Sequence, residues 1–487
     1  MKIRGFLAHI KLLAAAAGAL TLILNLGLAE PSAAETQIQK KKTQANATGK
    51  KTTKKSSPKT GAALKKTSKS GKSAKKRPAA KRADQALSLP WPQNLQALVG
   101  DGAVLVVDHH APKGQPRELY AYNAEKAYVP ASIIKIVTSG AALEFFGPDY
   151  RFKTDFLLTA DKDLWVVGYG DPYLVSEELA QAVKGLQKKG LKEVRHLYLD
   201  GSYFQKGLVL DGNTQTRNPY DAYNGAVSVN FNTINFARDK KGTVLRSSPH
   251  IPLTPLAREM GASFKRRGSF CLNISESPEM AELHAGQTIR AHLEEAGVKV
   301  RGEIIAGQTA PKRLQVFYSH VSSKNMEDNI RSLLEHSNNF MTNQIFLALG
   351  AELYGAPATL EKSRLAMAEY FKRHSLSPIF MGDGSGLSRQ TTLTARQMAA
   401  VLEIVEPERH LFRNCDDGQV LCKTGTMSDI KTLAGYIQRP GDPDRPISFV
   451  VLLNGTSYPA KIRNDVLSIL KAEFAPPLRP ASSAGGR

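Results

Sequence analysis

Ser132 and Lys135 are the residues whose types and spacing most directly suggest covalent chemistry. They stand three positions apart in the run Ser132-Ile133-Ile134-Lys135, so in a helix they share one face. A serine hydroxyl needs a base to become a nucleophile, and burial among apolar side chains favours the neutral, proton-accepting form of a lysine amine. The pair therefore predicts a serine nucleophile with a lysine base near the N-terminus of a helix.

The spacing alone is a weak signal, because Ser56 to Lys59 and Ser73 to Lys76 repeat it in a polar segment. Ser132 differs from these in its surroundings, since a mostly apolar stretch follows it as far as Gly147. A lysine inside an apolar helix is rare unless it is paired or used. This context favours a functional interpretation of Ser132 and Lys135.

Ser337-Asn338-Asn339 lies between two helical patterns, where a short polar turn can project into a cleft. The alternative is a helix N-cap, a position that Ser and Asn commonly occupy. A second Ser-x-Asn run, Ser228-Val229-Asn230, falls in the alternating stretch from Ala226 to Phe231, which predicts a strand. We interpret this second run as structural.

Lys423-Thr424-Gly425-Thr426 ends an extended run and precedes another strand-like segment. A strand that ends in this way offers a cation, two hydroxyl groups and a glycine that allows close backbone approach. Such a group of side chains suits a substrate carboxylate beside an edge strand. The triplet recurs at Lys59-Thr60-Gly61 without a scaffold, so the signal depends on context.

The elements that position these residues are predicted from periodicity. Ala103 to Asp108 and Glu118 to Tyr122 predict a hairpin, and the stretch from Pro130 to Gly147 predicts a core helix. Further helices are predicted at Met326–His336, Phe340–Leu349, Leu360–Arg373 and Ala395–Val405. The chain closes with predicted strands at Gln419–Thr424, Thr432–Gln438 and Ile447–Leu453, followed by a helix at Lys461–Phe474.

The middle of the chain has a different pattern, with short strand-like pieces from Arg151 to about Val316 and helices near Glu177–Lys188 and Thr288–Ala296. A chain of 487 residues exceeds what one hydrophobic core usually supports. We therefore expect one domain in two parts, residues 86–155 and 316–478, with an inserted domain at 156–315. Residues 479–487 are expected to be disordered.

The formal net charge of +22 comes mainly from one segment. Residues 36–84 hold 17 Lys and Arg against one acidic residue, whereas from Gln85 onward 46 basic residues face 41 acidic ones. The folded part therefore gives no compositional reason to expect nucleic-acid binding. Residues 35–85 are expected to form a disordered Lys-rich tail that either binds anionic envelope polymers or acts as a spacer.

The first 34 residues have the pattern of a signal peptide. Lys2, Arg4 and Lys11 precede an apolar stretch from Leu12 to Ala29, and small residues follow. An uncleaved N-terminal anchor is the alternative, because the apolar stretch is long. A lipoprotein is excluded, since the first cysteine is Cys271. The expected location is the periplasm or the outside of the cell.

Three cysteines do not form a disulfide framework. Cys415 and Cys422 could close a short loop, with Cys271 as a buried thiol, or all three could be free. No spacing suggests a metal cluster, and the adjacent pair His109 and His110 is interpreted as surface or loop histidine.

The order Ser-x-x-Lys, Ser-x-Asn, Lys-Thr-Gly is that of penicillin-binding proteins and β-lactamases. From about Leu89 to Phe474 the chain resembles the low-molecular-mass class C penicillin-binding proteins, the D-alanyl-D-alanine carboxypeptidase and endopeptidase group. The 205 positions between Ser132 and Ser337 fit the large insertion of that group better than compact class A β-lactamases. Further matches are Pro130-Ala131-Ser132, Tyr223-Asn224-Gly225, Ser228 to Asn232, Asp383 to Arg389 and Leu433 to Tyr436.

The resemblance implies an α/β fold of the α+β kind: a transpeptidase-like domain with an antiparallel sheet flanked by helices, and a β-rich inserted domain. It implies no metal or organic cofactor. The implied substrates are peptidoglycan peptides, and β-lactam antibiotics are the implied inhibitors. Asp383 to Arg389 is interpreted as a tight loop that is either structural or part of the cleft.

The resemblance also implies roles for the site residues. Ser132 attacks the carbonyl of the penultimate D-alanine, Lys135 takes its proton, and Ser337 relays a proton to the leaving amine. The implied substrate-binding residues are Asn339, Lys423, Thr424, Gly425 and Thr426, and the backbone N–H groups of Ser132 and Thr426 form the oxyanion hole. The alternatives are a β-lactamase or esterase on the same scaffold and a non-catalytic wall-binding protein.

Overall fold

The computed structural model describes residues 89–274, 277–416, 418–456, 458–459 and 461–476. The predicted signal peptide, Lys-rich tail and disordered C-terminus lie outside these residues. Within the described residues, no helix combines the length and the apolar character needed to cross a membrane.

The strands form a six-stranded sheet and three smaller ones. In chain order the strands are β1 (Ala103–Val107), β2 (Glu118–Tyr122), β3 (Arg151–Leu158), β4 (Leu164–Gly168), β5 (Glu193–Val194), β6 (Leu197–Asp200), β7 (Thr233–Arg238), β8 (Val244–Leu245), β9 (Gly268–Asn273), β10 (Lys299–Val300), β11 (Ile304–Ala306), β12 (Val316–Asn325), β13 (Arg413–Asn414), β14 (Val420–Met427), β15 (Ile430–Arg439) and β16 (Asp442–Asn454).

The six-stranded sheet has the order β13-β14-β15-β16-β1-β2, and its neighbouring strands are antiparallel. It joins the two ends of the described chain, because β1 pairs with β16 in a register that places Ala103 opposite Leu452. All five residues of β1 are buried. A strand covered on both faces is apolar at every position, which explains the run Ala-Val-Leu-Val-Val.

Helices cover both faces of this sheet. In chain order the α-helices are α1 (Gln93–Val99), α2 (Lys135–Phe146), α3 (Ser176–Lys188), α4 (Pro255–Ser263), α5 (Pro278–Glu295), α6 (Met326–His336), α7 (Asn339–Tyr354), α8 (Leu360–Arg373), α9 (Ala395–Ile404) and α10 (Ile462–Phe474). Helices α2, α6, α7, α8 and α9 share a core with Leu105 and Val450 on one face, and α1 and α10 share a core with Val104 and Val451 on the other. The predicted fold class, an antiparallel sheet flanked by helices, is confirmed.

The middle of the chain builds separate sheets. A five-stranded sheet has the order β11-β6-β4-β3-β12, a three-stranded sheet has the order β8-β7-β9, and β5 pairs with β10. Helices α3 and α5 pack into a core with strands of the five-stranded sheet. Strand β3 crosses the predicted boundary at 155/156, and β12, which begins at the predicted boundary 315/316, pairs with it, so this exact division stays a prediction.

Two local predictions were wrong. Residues 131–134 form a 3₁₀ turn before α2 rather than the first turn of an α-helix. Residues 226–231 are not a strand but a loop that enters a 3₁₀ turn at Asn230–Asn232. Asn230, Phe231 and Asn232 all have positive φ, a conformation that Asn tolerates better than most residues and that a strand excludes.

Candidate active site

The three motifs meet at one cavity of about 560 Å³. Ser132, Ser337, Asn339 and Thr426 line it. Lys135 and Lys423 lie beneath its wall, with 0% and 1% of their surfaces exposed. The structure therefore brings together residues that are more than 200 positions apart in the chain.

Lys135 stands at the centre of the polar contacts below the cavity. Its Nζ lies 3.2 Å from Ser132 Oγ, and it donates to Asn339 Oδ1 at 2.7 Å and to the Ser385 carbonyl at 2.5 Å. Complete burial, reinforced by the nearby Lys423 cation, holds the pKa of Lys135 well below its usual range. A neutral amine can donate to the last two acceptors and keep its lone pair for the Ser132 hydroxyl proton.

The turn that carries Ser132 is held in an unusual conformation. Ala131 has a φ of 49°, a left-handed value that costs a non-glycine residue about 1 kcal/mol or more. Thr432 on β15 donates from its hydroxyl to the Pro130 carbonyl at 2.6 Å. Sequence reasoning did not identify Thr432, because nothing local to β15 indicates a contact with this turn.

Two glycines allow neighbouring segments to approach the turn. A Cβ atom on Gly425 of β14 would lie 2.7 Å from the Pro130 carbonyl oxygen and 3.1 Å from the Ser132 nitrogen. A Cβ atom on Gly386 would lie 2.1 Å from the Ala131 carbonyl oxygen. Any larger residue at either position would displace the serine.

Asp383 organises the loop that faces Lys135. Its buried carboxylate accepts hydrogen bonds from the Ser385 hydroxyl at 2.6 Å and from four backbone N–H groups at 3.1 to 3.2 Å: those of Ser385, Gly386, Leu387 and Ser388. This arrangement fixes the carbonyl that accepts from Lys135. Gly386 and Leu387 also line the cavity, so the loop has both of the roles that the sequence left open.

Ser337 and Asn339 lie at the junction of α6 and α7. Ser337 ends α6 with a φ of 55°, and Asn338, not its neighbours, caps α7 by accepting from the Met341 N–H at 3.0 Å. The capping role proposed as an alternative therefore belongs to Asn338. Ser337 and Asn339 are left to face the cavity.

Lys423 connects Ser337 to strand β14 by hydrogen bonds. Its Nζ donates to Ser337 Oγ at 2.8 Å and to the Thr424 carbonyl at 2.9 Å. Burial, and then the positive charges of Arg413 and Arg463, lower its pKa to about 7. Strand β13 pairs with β14 only as far as Cys422, and no other described strand pairs with the outer edge of β14 from Lys423 onward.

A disulfide bond joins Cys415 and Cys422, with Cα atoms 5.7 Å apart. It closes the loop that leads into β14, immediately before Lys423. Of the two possibilities that the sequence left open, the structure has the paired one. The expectation that Cys271 is a buried thiol was wrong, since that residue is exposed on the edge of a small sheet.

Residues from the middle of the chain complete the cavity. It is also lined by Gly212, Thr214, Tyr220 and Asp221. The Tyr220 carbonyl accepts from Asn339 Nδ2 at 3.4 Å. Sequence reasoning missed these residues, and the one available signal was an aromatic residue, Tyr220, in a polar segment.

The second Ser-x-Asn run lies outside the cavity. The Ser228 hydroxyl donates to the Gly225 carbonyl at 2.8 Å and accepts from Asn232 Nδ2 at 2.9 Å. Asn230 Nδ2 donates to Ser176 Oγ at 3.0 Å. These bonds within a buried loop agree with a structural role.

Within the described ranges, no group of three or more His, Cys, Asp or Glu side chains is placed to hold a metal ion. The polar groups that the three motifs bring to the cavity are instead hydroxyls, amines and an amide. This set suits nucleophilic attack on a carbonyl, with proton transfer through the two lysines.

The sequence profile of the D-Ala-D-Ala carboxypeptidase 3 (S13) family matches residues 94–254 and 271–413. The chain belongs to this family. The predicted class, a serine-type D-Ala-D-Ala carboxypeptidase, is confirmed by this membership. The profile includes the segments that carry Ser132 and Ser337.

Curated relatives agree with the S13 assignment. A D-alanyl-D-alanine carboxypeptidase from Actinomadura sp. (strain R39) is 25% identical over 433 residues, which cover 74% of this chain and 79% of the relative. A D-alanyl-D-alanine carboxypeptidase, DacB, from Haemophilus influenzae is 23% identical over 399 residues, which cover 69% of this chain and 82% of the relative.

Solved structures share the S13 fold. The crystal structure of penicillin binding protein 4 from Haemophilus influenzae matches with a TM-score of 0.64 at 19% identity, covering 80% of this chain and 100% of that one. A structure of the same protein complexed with a β-lactam matches with a TM-score of 0.60 at 18% identity. The likeness supports the mixed fold with its β-rich middle region.

Proposed function

We propose that this S13 peptidase hydrolyses the terminal D-Ala-D-Ala bond, or the equivalent cross-link, of peptidoglycan stem peptides through an acyl-enzyme on Ser132. The observation that carries the proposal is the position of Lys135. Its completely buried amine lies between Ser132, Asn339 and the Ser385 carbonyl, directly below the cavity.

Acylation begins when Ser132 Oγ attacks the carbonyl carbon of the penultimate D-alanine. A bond forms between oxygen and carbon, and the hydroxyl proton passes to Lys135 Nζ. The carbonyl electron pair moves onto oxygen, where the backbone N–H groups of Ser132 and Thr426 stabilise the charge. In other enzymes each such donor contributes roughly 3 to 4 kcal/mol when measured by deletion.

The leaving amine needs a proton when the tetrahedral intermediate collapses. Ser337 is placed to supply it, and Lys423, which donates to Ser337 Oγ at 2.8 Å, is placed to replace it. Asn339 holds the substrate amide, while Lys423, Thr424 and Thr426 bind the terminal carboxylate. Water then attacks the acyl carbon and gives a proton through Ser337 to Lys423, which lost one during acylation. The bond between the acyl carbon and the Ser132 oxygen breaks, and that oxygen takes the proton held by Lys135.

We also propose an inhibitor class, a cellular location and a binding partner for the Lys-rich segment. The β-lactam in the structure of the H. influenzae protein supports inhibition of this chain by the same class of compound. We propose a periplasmic location, supported by the N-terminal sequence and by the location of peptidoglycan. The Lys-rich segment at 35–85 has the charge needed to bind anionic envelope polymers.

Mass spectrometry with benzylpenicillin tests the proposed function. The full chain should gain the mass of one penicillin on the peptide that contains Ser132, and it should release D-alanine from a peptide ending in D-Ala-D-Ala. Rapid destruction of penicillin without an adduct would indicate a β-lactamase. Intact penicillin with neither adduct nor D-alanine release would indicate a wall-binding protein.

The two Ser-x-Asn runs provide a matched pair of variants. Ser337→Ala should lower kcat by about 10²- to 10⁴-fold, because the leaving amine loses its proton donor. Ser228→Ala removes a buried serine of the same motif, so it should lower the melting temperature and leave kcat near that of the wild type. Steady-state kinetics and thermal unfolding measure the two effects. Equal losses of kcat in both variants would contradict the assignment of Ser337.

A further inference from the structure

Three cations meet at the outer edge of β14. The positive charges of Arg413, on β13, and Arg463, on the first turn of α10, both lie close enough to Lys423 to lower its pKa. Across the described segments, none of the three forms an ion pair with a carboxylate, although many other Arg and Lys side chains do. Among the residues that the structure describes, this edge therefore has an excess of positive charge.

Arg463 contacts the strand directly. Its Nη1 donates to the Gly425 carbonyl at 2.9 Å and to Thr426 Oγ1 at 2.7 Å. The neighbouring residues Ile462 and Val466 are buried in the core beneath the six-stranded sheet, so the guanidinium is anchored by packing. Its side chain is only partly exposed, and burial together with Arg413 lowers its pKa.

The contact with Thr426 has a consequence for the cavity. A hydroxyl oxygen that accepts a hydrogen bond from a guanidinium directs its own hydrogen elsewhere. Thr426 lines the cavity with Ser132, so its hydroxyl is oriented to donate to a bound group. An acceptor that carries negative charge would also neutralise the surrounding cations.

We propose that Arg463, supported by Arg413, determines specificity for substrates whose terminal residue carries a free carboxylate. This inference rests on the proposed function. A neutral side chain could donate a hydrogen bond to the Gly425 carbonyl equally well. Arg463 instead adds a third positive charge in a partly buried position, which raises the free energy of the folded protein. The bound carboxylate supplies the missing negative charge and accepts from Thr426.

Two peptides that differ only at the C-terminus test the proposal. One ends in D-Ala-D-Ala with a free carboxylate, and the other ends in the carboxamide. In Arg463→Gln, kcat/KM for the carboxylate peptide should fall about tenfold, the change expected for loss of one charge-assisted hydrogen bond, while kcat/KM for the carboxamide peptide should change less than about twofold. Arg463→Lys should restore part of the preference.

A matched control removes an arginine from another helix. Arg331, on α6, pairs with Glu327 and donates to the His410 carbonyl, so Arg331→Gln changes the net charge equally and should leave the preference unchanged. An equal fall for both peptides in Arg463→Gln would show a merely structural role and would overturn the proposal. No change for either peptide would also overturn it.

A second variant guards against misfolding of Arg463→Gln. Arg413 is exposed on a two-residue strand, and Arg413→Gln should reduce the preference for the carboxylate in the same direction by about two- to threefold through charge alone. Formation of the penicillin adduct on the wild-type chain separates a failure of this inference about Arg463 from a failure of the proposed function. A wild type with an adduct and an unaltered preference in both variants overturns only this inference, whereas a wild type without an adduct overturns the proposed function and this inference with it.

Discussion

Ser132→Ala is expected to reduce D-alanine release to the background rate and to abolish the penicillin adduct. The substitution removes the atom proposed to form the acyl bond, and loss of the nucleophile in another serine hydrolase lowers kcat on the order of 10⁶-fold. Ser132 Oγ makes one contact below the cavity, with Lys135 Nζ, so the fold should be little affected. Release of D-alanine from a synthetic peptide and intact-protein mass spectrometry measure the two outcomes.

Ser139→Ala is the matched control for this variant. Ser139 lies on α2, is 5% exposed, and its hydroxyl has no hydrogen-bond partner among the described residues. Removing it should therefore change neither turnover nor adduct formation. A Ser132→Ala protein that still carries one penicillin per chain would show that the nucleophile lies elsewhere.

Lys135→Met is expected to lower kcat/KM by about 10²- to 10⁴-fold, the usual contribution of a general base, and to slow acylation by penicillin to a similar degree. Methionine approximates the length of the lysine stem but cannot accept a proton. In the wild type, kcat/KM should fall as the pH decreases through the lowered pKa of Lys135, because protonation removes the base. The Lys135→Met protein should lack this part of the pH profile.

Thr138→Val separates loss of the base from movement of the neighbouring loop. Thr138 lies one turn along α2 and donates to the Gly384 carbonyl at 2.8 Å, so the variant disturbs the Asp383 loop without removing the amine. It should lose stability, measured by thermal unfolding, and keep the pH profile. A tenfold or smaller effect of Lys135→Met, or an identical effect of Thr138→Val, would argue against Lys135 as the base.

The order and chemical types of the motifs made much of the site predictable. Ser132, Lys135, Ser337 and Lys423 were identified because each combines a reactive group with a distinctive local context, and the structure places them together. Local context also predicted the hairpin of β1 and β2 and the final helix α10. These features depend on residues that are near one another in the chain.

Contacts between distant segments were not predictable. Thr432, on β15, contacts the turn that carries Ser132, and Arg463, on the C-terminal helix α10, contacts β14. Neither residue stands in a distinctive local pattern. The prediction of a strand at 226–231 was wrong for a related reason. Ser228 and Asn230 form hydrogen bonds to their own loop and to Ser176, which compete with the ladder of a sheet.

The pairing of β1 with β16 constrains how the enzyme can be made. A chain that is synthesised from its N-terminus exposes the β1–β2 hairpin long before β16 exists, and an isolated hairpin is marginally stable in water. The nucleophile turn also depends on Thr432 and Gly425, which are among the later residues to emerge. The proposed acylating centre is therefore assembled only when the chain is nearly complete, and a nascent or C-terminally truncated chain carries Ser132 without the contacts that hold its turn.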